Sequence, residues 1–97
     1  MNIGIIGTGN MGKILIDAFI ESIAVPPSNL TITNRTLTKA MEIGESYPDI
    51  KVVETSEEVV VASDIVFICV KPLEIHPLLE NLQGYLLKTK CIVSITS

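Results

Sequence analysis

The chain has 97 residues, of which 47% are hydrophobic and only 4% aromatic, and its 11 acidic and 7 basic side chains leave a net charge of −4. This length suits one domain with its own core, and the acidic balance excludes a general attraction to nucleic acid or an anionic membrane surface. No apolar stretch approaches the ~20 residues needed to cross a bilayer, and Met1 leads into apolar sequence without a basic leader.

Ile3 to Ile6 reads as a first strand. The array Gly7-Thr8-Gly9-Asn10-Met11-Gly12 follows, a G-x-G-x-x-G pattern, and then a helix-like stretch over roughly Met11–Ile23. Strand, glycines and helix in that order form the context in which the pattern means a dinucleotide site rather than an ordinary βα turn. Gly7 is expected to allow the tight turn out of the strand. Gly9 leaves room for a pyrophosphate against the backbone, and Gly12 lets the helix pack closely on the strand. The phosphates would sit at the unpaired N–H groups and positive end of the helix. Along the helix Ile14, Leu15, Ala18 and Phe19 fall at core spacing, with Lys13, Asp17 and Glu21 outward.

Pro26-Pro27-Ser28-Asn29 is a turn. Leu30–Thr33 reads as strand two, and Thr36 or Thr38 is placed to cap a helix reaching about Tyr47, which Pro48 and Asp49 end. Lys51–Glu54 is a short third strand. Ser56 with Glu57 and Glu58 resembles a helix start with acids in its first turn, although the branched Val59-Val60-Val61 pulls toward strand. Ile65–Val70 is the clearest strand, broken by Lys71-Pro72. A helix over roughly Leu73–Leu86 and a fifth strand at Cys91–Ile95 complete the pattern. Cys69 and Cys91 lie in apolar runs without C-x-x-C spacing, which predicts reduced core residues in a cytoplasmic protein.

The alternation predicts an α/β fold: a Rossmann-type doubly wound parallel sheet, three layers αβα, with right-handed crossovers and strand order 3-2-1-4-5. Residues 1–97 form a single dinucleotide-binding domain in this reading, cut just after strand five. The switch point falls between strands one and four, so the glycine loop and Val70-Lys71-Pro72 are expected at one crevice.

The end of strand two bears on cofactor choice. NAD-specific folds usually carry an acid about 20 residues beyond the glycines, and here Asn34-Arg35-Thr36 takes that place. An acid repels a 2′-phosphate, whereas Arg35 offers a planar fork of donors and Asn34 and Thr36 can add neutral hydrogen bonds. The expected cofactor is therefore NADP, with NADPH preferred over NADH. FAD or a methyl-donor nucleotide is disfavoured. The ammonium of Lys71 either contacts the cofactor or snorkels to water. His76, the single histidine, reads as a surface or packing residue. No cluster has metal-ligand spacing, and no residue stands out as catalytic.

The glycine array with Asn10-Met11, then Asn34-Arg35-Thr36, Val70-Lys71-Pro72 and Ser94-Ile95-Thr96-Ser97, together resemble the N-terminal domain of pyrroline-5-carboxylate reductases, within the wider group that includes coenzyme F420-dependent NADP reductases. The likeness is strongest to a reductase-like branch encoded in late-competence operons. It implies that Gly7, Thr8, Gly9, Asn10, Met11 and Gly12 carry the pyrophosphate. It places Asn34, Arg35 and Thr36 at the adenosine 2′-phosphate, and Val70, Lys71 and Pro72 along the nicotinamide. It also implies hydride transfer from NAD(P)H to a cyclic imine, giving proline, with substrate pocket and dimer contacts in a C-terminal helical domain beyond this chain. The full-length protein is then expected to be a homo-oligomer, and these 97 residues a monomer or weak dimer. The competence likeness suggests an alternative, a non-catalytic NADP-sensing regulator. One departure is visible: relatives often place an asparagine after strand three, where this chain has Thr55-Ser56.

Overall fold

Five parallel strands form one sheet in the order β3-β2-β1-β4-β5. They are β1 (Ile3–Ile6), β2 (Leu30–Thr33), β3 (Lys51–Val52), β4 (Ile65–Ile68) and β5 (Cys91–Ser94). The computed structural model describes residues 1–22, 24–86 and 91–95, with Asn10 and Leu86 described by backbone alone. Thr96 and Ser97, the end of the fourth motif, lie outside the described residues, as does Ile23. Strand β1 is central: Ile3 to Ile6 pair with Leu30 to Thr33 on one side and with Ile65 to Ile68 on the other.

Helices α1 (Asn10–Glu21) and α2 (Leu37–Ser46) cover one face of the sheet; α3 (Ser56–Ala62) and α4 (Pro72–Leu86) cover the other. Successive strand residues point to opposite faces, so the two cores divide β1 between them. Ile3 and Ile5 join Ile16 of α1 and Ala40 and Ile43 of α2. Ile6 joins Val59 and Val60 of α3 and Leu82 of α4. Each fully buried isoleucine or leucine contributes roughly 1.5–3 kcal/mol. The predicted architecture and strand order are those observed.

Several local expectations are corrected. Helix α1 buries Gly12 and Ile16 and half-buries Leu15, Phe19 and Ile20, while Ile14 is 58% exposed and Ala18 is also exposed. Apolar side chains occur around most of this helix, so spacing alone left its phase open. The cysteines are not both core residues: Cys69 is half-buried and Cys91, on edge strand β5, is exposed. Burial raises the Cys69 thiol above its ordinary pKa. The N-cap of α3 is Thr55, whose Oγ1 accepts from the Glu58 N–H while Glu58 Oε2 accepts from the Thr55 N–H. This reciprocal capping box holds a seven-residue helix against the strand preference of its three valines. Pro72 is the first residue of α4, where a proline loses no helical hydrogen bond.

Candidate functional site

The glycine loop joins β1 to α1 at the carboxyl edge of the sheet, between the ends of β2 and β4. Gly7 has φ +95°, a conformation L side chains rarely adopt, and a Cβ there would lie 2.4 Å from the Cys69 carbonyl oxygen. A Cβ on Gly12 would lie 2.1 Å from the Gly7 carbonyl oxygen, so only glycine lets α1 start this close to the strand. Gly9 differs from both. It is the N-cap of α1, and a Cβ built on it meets nothing within 4 Å. The three glycines thus have distinct causes, two internal to the fold and one facing open space.

No side chain caps α1, so its first N–H groups point outward with the positive end of the helix dipole. Beside them, Thr8 is only 6% exposed and its Oγ1 has no hydrogen-bond partner among the described residues. Buried hydroxyls are normally satisfied. An orphaned acceptor-donor, an uncapped helix start and a glycine with room above it fit a phosphate-bearing ligand. The contribution of the Asn10 side chain lies outside the described residues, and Met11 is half-buried in the first turn.

The second predicted cluster touches the first through Asn34. Its Oδ1 accepts the Thr8 N–H at 2.9 Å, and its Nδ2 donates to the Thr36 carbonyl at 2.9 Å. Asn34 therefore braces the glycine loop against the end of β2, a role local spacing did not reveal, and only one of its amide hydrogens is left for a ligand. Thr36 is the N-cap of α2 but makes no side-chain cap bond, leaving its exposed hydroxyl available. The Arg35 side chain is 85% exposed and forms an ion pair with Glu74 Oε1 in the first turn of α4. Glu74 was not among the predicted site residues, because the pairing joins positions 39 apart in sequence.

The third cluster is close on one side and open on the other. A Cβ on Gly7 would come within 3.2 Å of Val70 Cγ1, whereas Lys71 and Pro72 are exposed. His76 faces solvent with its Nδ1 3.2 Å from Glu80 Oε1, one helical turn on. A cleft of about 660 Å³ opens beside Thr8 and Gly9 between α1 and α2, with Lys13, Asp17, Lys39, Glu42 and Tyr47 on its walls. It does not include residues 34–36 or 70–72. Among the described residues, no group of three His, Cys, Asp or Glu is placed to hold a metal, and no helix is long and apolar enough to cross a membrane.

The sequence model of the family described as NADP oxidoreductase, coenzyme F420-dependent, matches residues 2–97. The chain belongs to this oxidoreductase family. It is 56% identical over 97 residues to ComE operon protein 4 of Bacillus subtilis, covering 100% of this chain and 36% of that protein. It aligns with a pyrroline-5-carboxylate reductase from Coxiella burnetii at TM-score 0.88 and 27% identity, over 98% of this chain and 35% of that one. An imine reductase from Myxococcus stipitatus in complex with NADP+ aligns at TM-score 0.81 and 28% identity, over 100% of this chain and 32% of that one. The chain thus spans about a third of the length of these family relatives. The glycine loop and the end of β2 described above both fall within the region matched to the oxidoreductase family.

Proposed function

We propose that these 97 residues form the NADP(H)-binding domain of a reductase that acts on the C=N bond of a cyclic imine, in the manner of pyrroline-5-carboxylate to proline. One observation carries the cofactor part: Gly9 opens onto free space at an uncapped helix start beside the orphaned Thr8 hydroxyl. The names of the relatives support the reaction class.

In this reading the α1 N-terminus and Gly9 receive the pyrophosphate, with Thr8 Oγ1 as a further donor. Arg35 presents its guanidinium to the 2′-phosphate, and Asn34 keeps the two subsites in register through the Thr8 N–H. Val70, Lys71 and Pro72 border the nicotinamide. When bound, the reduced nicotinamide supplies the hydride; the chain's part is binding, orientation and electrostatics. No side chain here is assigned as proton donor. We assign the imine pocket and the contacts of a homo-oligomer to a further domain, matching the share of the relatives' length that this chain spans.

Substrate-dependent oxidation of NADPH by a protein carrying that further domain, with pyrroline-5-carboxylate as substrate, tests the proposal. Turnover supports it. Tight NADPH binding without turnover on cyclic imines would instead favour a nucleotide-sensing role.

A further inference from the structure

The guanidinium offered to a 2′-phosphate is already engaged. Arg35 follows β2, and Glu74 lies in the first turn of the helix that follows β4. Strands β2 and β4 are the two neighbours of β1. Their ion pair therefore joins the segments that follow the two strands flanking β1, on the sheet edge where the glycine loop begins. The Glu74 side chain is 37% exposed and the Arg35 side chain 85%, so a ligand can reach the pair from solvent.

We propose that Glu74 sets the cofactor selectivity of this site. The inference rests on the reading of Arg35 as the 2′-phosphate ligand. A carboxylate on the same guanidinium nitrogen competes with the incoming phosphate, and two anions held on one cation repel each other. NADH brings a neutral 2′-hydroxyl to the same place and meets no such repulsion. Glu74 thus lowers NADPH affinity while leaving NADH affinity nearly untouched, and it narrows the preference that Arg35 alone would give. The residue acts through Arg35, and its effect is read in the ratio of two affinities.

The test is calorimetric titration of the chain with NADPH and with NADH, in wild type, Glu74→Gln, Arg35→Ala and the double variant. Glu74→Gln keeps the size and shape of the side chain and is expected to tighten NADPH binding about two- to fivefold, the scale of an exposed charge pair. NADH affinity should stay unchanged. The gain should shrink in high salt, because both partners are solvent-exposed, and vanish in the Arg35→Ala background. An unchanged or weaker NADPH affinity in Glu74→Gln overturns the proposal, as does an equal gain for NADH or a gain that persists without Arg35. Those failures leave the cofactor reading standing. Wild-type protein that binds neither dinucleotide, or Arg35→Ala that binds NADPH as wild type does, overturns the reading of Arg35 and the role of Glu74 with it.

Discussion

Replacing Gly9 and Gly12 separately by alanine divides the glycine loop into the part required by the fold and the part required by a ligand. A Cβ on Gly12 lies 2.1 Å from the Gly7 carbonyl oxygen and 3.1 Å from its carbon. These are backbone atoms, so α1 must shift away from β1. Alanine gains ~1 kcal/mol of helix propensity over glycine. Overpacking typically costs about 1–3 kcal/mol and more where backbone must move. The expected net effect is a destabilisation of about 2 kcal/mol, or roughly 8–16 °C in melting temperature for a domain of this size. Gly9→Ala meets nothing within 4 Å and starts from φ −70°, ψ −160°, which alanine also adopts. Its lower unfolded-state entropy stabilises by about 0.4–1 kcal/mol, and alanine is a poorer N-cap than glycine by a similar amount. The two nearly cancel, so Gly9→Ala should melt within a few degrees of wild type, yet lose NADPH binding at least tenfold. Thermal melts and titration calorimetry on both variants decide the matter. A Gly9→Ala protein that melts far below wild type, or binds NADPH unchanged, would refute the assignment of Gly9 to the phosphate.

Other outcomes follow from particular contacts. Asn34→Ala removes the acceptor of the Thr8 N–H and should weaken NADPH and NADH together, severalfold each, since it loosens the shared loop; calorimetry reads both. Thr55→Ala breaks the capping box of α3 and should cost ~1 kcal/mol in urea unfolding, without changing cofactor affinity. The Tyr47 hydroxyl donates to Asp17 Oδ1 at 2.9 Å, which together with burial and the nearby acids raises its pKa above the ordinary 10.0. A raised folded-state pKa means that this contribution is fully present below the unfolded-state value and is lost as pH climbs through the folded one. Stability should therefore fall more steeply above pH 10.0 in wild type than in Tyr47→Phe, as unfolding curves across that range would record.

The sheet order and the glycine loop were legible because their signals are local. A strand, three glycines and a helix lie within about twenty residues, and the later alternation of strands and helices leaves few topologies open. The phase of α1 was not legible, because Met11, Ile14, Leu15, Ile16, Ala18, Phe19 and Ile20 cover most of its circumference. The structure selects the face through Gly12, which must touch the Gly7 carbonyl. Gly4 carries no such local signal, although a Cβ there would lie 2.3 Å from Ser63 Oγ and 2.5 Å from Val59 Cγ1, which makes it the contact that seats α3 on β1. The capping box at Thr55 and Glu58 has its T-x-x-E signature in the sequence, but the adjacent Ser56 is an equally good N-cap type, so residue type alone does not choose between them. The partners of Asn34 and Arg35 arise only when β2, the glycine loop and α4 meet in space.

The central claim is that the end of β2 recognises a 2′-phosphate. Titration of wild-type protein and Arg35→Ala with NADPH and NADH measures this directly. The account predicts that wild type binds NADPH at least about tenfold more tightly than NADH, the scale of one charge-assisted hydrogen bond. It also predicts that Arg35→Ala loses that preference while keeping its NADH affinity. Equal affinities for the two dinucleotides in wild type, or a preference that survives the loss of Arg35, would contradict it.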